Sequence, residues 1–98
     1  MGSRPVKRGD RSGHRRDANE AEIVRALWRV GATVEPLSAP GCPDLLVGFR
    51  GVNHLLEVKS EGGELEQSQV DWAAGWRGSK VHVVRDVIQA LKAIGAVQ

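Results

Sequence analysis

Three charged residues flank two apolar stretches in the middle of the chain, and their types and spacing could support metal-dependent chemistry. Asp44 precedes the apolar run 45–49, and Glu57 and Lys59 end the next apolar run. Carboxylate oxygens are the ligands that Mg²⁺ prefers, usually with one or two protein carboxylates per ion. A metal held by Asp44 and Glu57 can activate a water and polarise a phosphodiester, while Lys59 orients the water or shares the charge. The pattern therefore predicts metal-dependent phosphodiester hydrolysis.

The two apolar runs predict a β-hairpin, and its register decides whether the three charges meet. Glu57 and Lys59 are two residues apart, so in a strand they share one face at a spacing of about 6.5 Å. Any loop with an even number of residues places Asp44 on that face, whereas an odd number or a bulge sends it to the other. A turn at 51–52 would place Asp44 opposite Lys59, and a slip of two residues would place it opposite Glu57. The two-residue loop is the commonest hairpin connection, which favours convergence.

A cross-strand ion pair of Lys59 with one of the acids is the simpler interpretation of the same residues in a solvated sheet. The position of the strands argues against it. Two carboxylates on a face that a helix covers cost several kcal/mol to desolvate, and the single Lys59 does not neutralise both. A divalent cation would resolve this excess of negative charge.

Two further polar residues lie on predicted helices from which they could reach the sheet. Glu20 precedes Ile23 and Val24 by three and four residues, so it lies at the end of the apolar stripe of the first helix. The same position fits a capping box that starts at Asp17, in which Glu20 would only satisfy backbone donors. Gln69 lies on the core stripe of the second helix, either as a buried amide that needs hydrogen bonds or as a rim residue bonded to solvent.

Elements in the order α-β-β-β-α-β-α are predicted to position these residues. The first element is a helix over 18–30 that is capped by Asp17, and its apolar stripe consists of Ile23, Val24, Leu27 and Trp28. A strand at 33–35 follows, and then the two hairpin strands at 45–49 and 54–59. The second helix is predicted over 65–78, with the stripe Leu65, Gln69, Trp72, Ala73 and Trp76, and a strand at 81–84 follows it. Asp86 caps the last helix, which directs four residues toward the core: Val87, Ile88, Leu91 and Ile94. Because the hairpin strands are apolar on both faces, the chain is predicted to be an α/β protein with a mixed four-stranded sheet flanked by helices on both faces.

The charge of the chain is divided between an amino-terminal arm and a body. The 98 residues are enough for one domain and contain 14 Lys and Arg against 12 Asp and Glu. Six of the basic residues and one acid lie in residues 1–16, which leaves 8 basic and 11 acidic groups in 17–98. The basic residues of the arm, for which we predict contacts with a polyanion such as DNA, are Arg4, Lys7, Arg8, Arg11, Arg15 and Arg16. A solvated tail or a cloning remnant is the alternative interpretation of this flexible segment.

Composition excludes several other kinds of protein. There is no apolar run of 18 residues and no signal-peptide core, so no membrane or secretory role is expected. Cys42 is the only cysteine, which excludes an internal disulfide and a cysteine zinc cage, and the histidines lack ligand spacing. A cytoplasmic protein of a prokaryotic cell or of a phage-infected host is expected.

The motif residues together resemble the PD-(D/E)XK nuclease superfamily. They are Pro43-Asp44, then twelve residues, then Glu57-Val58-Lys59, with Glu20 on the preceding helix and Gln69 on the following one. Within that superfamily, segments 19–24, 43–48, 56–59 and 65–72 resemble the virus-type replication-repair nuclease (VRR-NUC) domain, which is similar to archaeal Holliday-junction resolvases. The resemblance covers about residues 17–95, so we predict a nuclease domain over 17–98 after the arm of residues 1–16.

The resemblance implies a restriction-endonuclease-like αβββαβ core and a Mg²⁺-dependent endonuclease, with Mn²⁺ as a substitute and no organic cofactor. By position it makes Asp44, Glu57 and the carbonyl of Val58 metal ligands, and Lys59 the group that orients the water. It assigns Glu20, as a further possible ligand, and Gln69 to the edge of the site. It also implies a homodimer acting on branched DNA.

We therefore expect a DNA endonuclease that resolves four-way junctions, from a phage or mobile element. The alternatives are a nuclease with another DNA preference, such as flaps, nicks or duplex, and a non-catalytic DNA-binding module with the same fold. The acidic loop 60–64 lies where such resolvases usually present basic residues, which suggests weak DNA binding on this face or binding by the arm. Trp72 and Trp76 are expected to be core or dimer-contact residues rather than base-stacking platforms, since they share the stripe of Leu65.

Overall fold

A computed structural model describes the backbone of residues 13–98, with side chains described from Ala18 onward. Its elements are α1 (Gly13–Arg29), β1 (Thr33–Pro36), β2 (Leu45–Phe49), β3 (Val52–Val58), α2 (Gln67–Gly75), β4 (Val81–Val84) and α3 (Val87–Ala93). The predicted order of elements is confirmed. None of the helices in this range is long and apolar enough to cross a membrane.

The four strands form one mixed sheet in the order β1-β2-β3-β4. The first two pairs are antiparallel and the β3–β4 pair is parallel. A parallel pair needs a crossover connection, and α2 lies in that connection between β3 and β4. The predicted α/β class with a mixed four-stranded sheet is confirmed.

The hairpin turn has the even length that the convergence of the charges requires. Phe49 pairs with Val52, so the loop consists of Arg50 and Gly51, both with positive φ angles, 53° and 81°. Positive φ at both central residues is the type I′ geometry that fits the twist of a hairpin. Of the two registers that the sequence left open, the one with a turn at 51–52 is not observed, and the one that places Asp44 opposite Glu57 is.

The core lies on one face of the sheet, beneath α1 and α3. Leu45, Val47, Leu56 and Val58 alternate onto this face, since cross-strand partners share a side. The helices add Ile23 and Leu27 from α1 and Leu91 and Ile94 from α3. The other face, which includes Asp44 and Glu57 by alternation, is left for α2.

Several predicted boundaries and stripe members differ from the structure. Helix α1 begins at Gly13, so the cap at Asp17 and its capping box are wrong, and residues 13–16 of the predicted arm belong to the helix. Trp28 and Ile88 are 59% and 55% exposed. Each directly follows a core-facing residue in its helix, and one residue turns the helix by about 100°, away from the sheet.

The predicted second helix is too long at both ends. Helix α2 spans Gln67–Gly75, so Leu65 and Trp76 lie outside it. Of the predicted DNA-binding residues, Arg4, Lys7, Arg8 and Arg11 lie outside the described residues, as do the side chains of Arg15 and Arg16.

Candidate active site

Asp44 lies beside Glu57 at the end of the hairpin opposite the turn. Leu45 pairs with Leu56, and the same register continued by one residue places Asp44 opposite Glu57. The Val58 N–H donates to Oδ2 of Asp44 at 2.8 Å, which fixes this carboxylate against β3. Both acids therefore lie on the face that α2 covers, as the even loop length requires.

Strand geometry places the carbonyl of Val58 on the same edge of β3 as the N–H that bonds to Asp44. In a strand the N–H and C=O of one residue point to the same side, and the Val58 N–H is directed at Asp44 while the next N–H, that of Lys59, bonds to Val84 on β4. The register position across from Val58 is Pro43. A proline has no N–H to donate, so it cannot complete a ladder bond to this carbonyl. The Pro-Asp pair thus supplies a carboxylate and leaves a carbonyl oxygen directed to the same place.

Glu57 and Lys59 form a buried ion pair. Glu57 is 1% exposed and Lys59 is 7% exposed. Lys59 Nζ lies 3.4 Å from Oε2 of Glu57. The prediction that these two side chains share a face is confirmed, and the interpretation as a solvated surface pair is excluded. A charge this deeply buried costs several kcal/mol unless a cation and hydrogen bonds compensate it.

Gln69 supplies one of those hydrogen bonds. Its Nε2 donates to Oε2 of Glu57 at 2.8 Å, while its Oε1 accepts from the Glu66 N–H, also at 2.8 Å. The amide is thereby fixed in orientation, because the oxygen caps the start of α2 and the nitrogen faces the carboxylate. Gln69 is only partly buried, although its amide bonds to protein groups rather than only to solvent, so it lies between the two predicted alternatives of a buried amide and a rim residue. The reciprocal cap that was predicted at Asp17 and Glu20 occurs instead at the start of α2.

Helix α2 rests on the loop that precedes Asp44. Gly41 has φ +78°, and a Cβ placed on it would lie 2.9 Å from the carbonyl oxygen of Ser68. Only a glycine fits both the left-handed backbone and this close approach. Between this loop, the sheet and α2 lies a cavity of about 50 Å³, lined by Gly41, Pro43, Glu57, Leu65, Gln69, Trp72, Ala73, Val81 and Val83.

Two residues that the sequence did not single out hold the neighbouring backbone. Asn19 Nδ2 donates to the carbonyls of Lys59 at 3.3 Å and Arg85 at 3.2 Å, which joins α1 to the ends of β3 and β4. Arg85 donates from Nη1 to the carbonyls of Ser60 at 2.9 Å and Gly63 at 2.7 Å, and so fixes the acidic loop that follows Lys59. An asparagine and an arginine of this kind carry no sequence signal, because their partners are backbone atoms 22 to 66 residues away.

Glu20 follows Asn19 on α1 and is partly buried. It lies on the helix that packs against the face of the sheet opposite to Asp44 and Glu57. Among the side chains that the structure describes, from Ala18 onward, no three or more His, Cys, Asp or Glu are placed together to hold an ion. The carboxylate ligands of a metal would accordingly be Asp44 and Glu57, and a metal-binding role of Glu20 stays a prediction.

The donor set at this site fits a hard divalent cation. Two carboxylates and a backbone carbonyl are oxygen ligands, and Mg²⁺ commonly takes one or two carboxylates and completes its shell with water and phosphate oxygens. The field at the site is negative as well. Burial raises the pKa of the Cys42 thiol, and the nearby carboxylates of Asp44 and Glu57 raise it further.

Comparison with known proteins identifies one similar solved structure. It is described as a "VRR_NUC domain", has 29% identity to this chain and a TM-score of 0.69, and the match covers 84% of this chain and 96% of that one. No protein-family model and no curated protein matches the sequence. The similarity extends over nearly the whole of the other domain, so it concerns the fold as a whole.

Proposed function

Since the chain has the fold of a VRR-NUC nuclease domain, we propose that it is a Mg²⁺-dependent, structure-selective DNA endonuclease that acts on four-way junctions. The observation that supports this proposal best is the buried ion pair of Glu57 and Lys59, bonded to the partly buried Gln69 and next to Asp44. A cluster that only stabilised the sheet would be replaceable by apolar residues, which often fit such positions at equal or greater stability. A buried ion pair next to a second carboxylate is better explained by a catalytic role than by a structural one.

Each residue has a defined task in this proposal. Asp44, Glu57 and the Val58 carbonyl would hold the metal, which supplies Lewis-acid activation of a water and of the scissile phosphate. Lys59 orients that water and offsets negative charge on the phosphate. Gln69 keeps Oε2 of Glu57 in place through its 2.8 Å bond, so that the carboxylate has one orientation when the metal binds.

The test of the reaction uses a labelled four-way junction and a linear duplex of matched length, each with Mg²⁺, Mn²⁺ or a chelator. We expect metal-dependent cutting of the junction, and Asp44→Asn and Lys59→Ala should bind the junction without cutting it. Asp44→Asn keeps an acceptor for the Val58 N–H, so the loss reports the charge rather than the fold. Asp71→Ala, which alters an exposed acid on α2, is the control and should cut normally.

The outcomes separate the candidate functions. Cutting that survives Asp44→Asn contradicts the assigned site. Preference for flaps, nicks or duplex over the junction would keep the nuclease and change its substrate. Junction binding without cutting under any metal would favour a non-catalytic DNA-binding module, for which the 1% exposure of Glu57 is the supporting observation.

Two further parts of the proposal concern assembly and the basic arm. A homodimer would place two sites on opposed strands, and sedimentation velocity of the free protein tests it. Deleting residues 1–12 removes Arg4, Lys7, Arg8 and Arg11 and leaves α1, which begins at Gly13. If all four contact phosphates, the slope of log affinity against log salt falls by about 3 to 4, at about 0.9 per contact. An unchanged slope excludes residues 1–12 of the arm as a DNA contact.

A further inference from the structure

The loop between α2 and β4 combines an exposed tryptophan with two cations. All residues from Ala74 to Lys80 are exposed, and the segment 76–80 reads Trp-Arg-Gly-Ser-Lys. Trp76 is 49% exposed, so of the two predicted places, the core and a dimer contact, the core is wrong. A large aromatic side chain is therefore accessible to solvent in a loop that also carries two cations.

The indole of Trp76 is held in a fixed orientation. It stacks on Trp72 with 4.7 Å between ring centroids and 14° between planes. A Cβ on Gly78 would lie 2.7 Å from its Nε1, so the loop passes against the N–H edge of the ring. One face and one edge are therefore covered, and what remains open to solvent is the opposite face of the ring. A rigid aromatic face of this kind is a stacking surface.

The charges of this loop attract an anion. Arg77 and Lys80 follow the tryptophan and are exposed, and neither has an acidic group within ion-pair distance among the residues that the structure describes. The sequence from 72 to 85 contains no acid at all. This basic loop follows α2 in the chain, whereas the acidic loop 60–64 precedes it. Cations beside an open aromatic face are the combination that binds single-stranded nucleic acid.

The stacking face continues directly from the candidate active site. Gln69, Trp72 and Trp76 follow one another along the same side of α2 and its carboxyl end, and Trp72 lines the same cavity as Glu57. Seven residues separate Gln69 from Trp76, or about 10 Å at helical rise. That length corresponds to about three nucleotide steps along a DNA strand.

We propose that Trp76, with Arg77 and Lys80, binds an unpaired nucleobase and its flanking phosphates next to the cleavage site. The proposal rests on the proposed function, since it supplies the part of that site that recognises branched or single-stranded DNA. A base unstacked at a branch point stacks on the open face of Trp76, and the two cations of the same loop bind the neighbouring phosphates. Selectivity for distorted DNA follows, because bases within intact duplex offer no free face to this indole.

The test measures binding in chelator, so that it does not depend on cleavage. The probes are a fluorescently labelled oligothymidylate and a matched abasic strand of the same length and charge. We expect the full chain to prefer the thymidylate, and Trp76→Ala to weaken thymidylate binding roughly 5- to 150-fold, which is the range for stacking one base. Abasic binding should be unchanged in Trp76→Ala, whereas an Arg77→Gln, Lys80→Gln double variant should weaken both probes and lower the salt slope.

Trp76→Phe should recover most of the preference, since phenylalanine retains a stacking face. Trp28→Ala is the matched control, because it removes a comparably exposed tryptophan from α1 on the other side of the sheet, and it should bind as the unaltered protein does. Equal binding of thymidylate by Trp76→Ala and the unaltered protein would overturn the proposal. An equal loss on both probes, together with conversion of a dimer to a monomer in sedimentation, would overturn it too and make Trp76 a dimer contact. Absence of cleavage leaves this result unaffected, so the two proposals fail separately.

Discussion

Gly41→Ala should disturb the candidate site without changing any residue that we assign to chemistry. The variant adds one methyl group at a position where the backbone has φ +78° and where the carbonyl oxygen of Ser68 would lie 2.9 Å away. A backbone oxygen in a helix cannot rotate aside, so α2 must move by several tenths of an ångström. Gln69 is the next residue along, and its 2.8 Å bond to Glu57 should lengthen with that movement.

Gly95→Ala provides the reference for the cost of the backbone conformation. Gly95 has φ +79° and nothing within 4 Å of an added Cβ. Alanine in the left-handed region costs about 1–2 kcal/mol at either position, so this part cancels in the comparison. Overpacking adds about 1–3 kcal/mol at Gly41 only. Because α2 has no buried residue and can shift as a unit, we expect the lower end of that range.

The assays are the free energy of unfolding in urea for both variants, the side-chain amide resonance of Gln69 by NMR, and single-turnover cutting with Mg²⁺. We expect Gly41→Ala to be about 1 kcal/mol less stable than Gly95→Ala, with a shifted Gln69 amide signal and slower cutting. Gly95→Ala should leave both the amide signal and the cutting rate as they are. Equal stability losses in the two variants, or an unmoved Gln69 signal, would refute the claim that Gly41 positions α2.

Three further predictions concern the ion pair, the end of the sheet and the histidines. Lys59→Met should lower the free energy of unfolding in urea by about 3–5 kcal/mol, because it leaves the Glu57 carboxylate buried without its cation. Adding Glu57→Gln to this variant should recover much of the loss, and additive effects of the two substitutions would contradict an interaction between the two side chains. Asn19→Ala should cost about 1–3 kcal/mol, since two backbone carbonyls lose a donor, and unchanged stability would show that water replaces the amide. Burial lowers the pKa of both His54 and His82. The two imidazoles therefore bind protons less readily in the folded protein than in the unfolded chain. Their contribution to the free energy of unfolding is complete above the unfolded pKa of about 6.5, and it decreases as the pH falls below that value. Unfolding measured at pH 7.5 and 5.5 should show this decrease, and a double His54→Gln, His82→Gln variant that retained it in full would contradict the assignment.

Local sequence patterns were sufficient where the interaction that fixes an element is itself local. The order of elements, the limits of β2 and β4 and the Asp86 cap of α3 were predicted, and the cap bond from Gln89 N to Asp86 Oδ1 measures 2.8 Å. The shared face of Glu57 and Lys59 follows from the two-residue period of a strand alone. The same reasoning failed at Trp28 and Ile88, because an apolar residue beside a helical stripe is buried only if another element covers it.

The sequence by itself determined which residues could carry the chemistry: two carboxylates, a lysine and a glutamine at spacings that a hairpin and a following helix bring near one another. Only the tertiary structure decided the rest. The turn at Arg50 and Gly51 selected the register that sets Asp44 against Glu57, and the approach of Gly41 to Ser68 placed α2 so that Gln69 reaches the buried acid. Asn19 and Arg85 were recognisable only in the folded chain. Their partners are backbone carbonyls distant in sequence, and a carbonyl has no residue type for a pattern to detect.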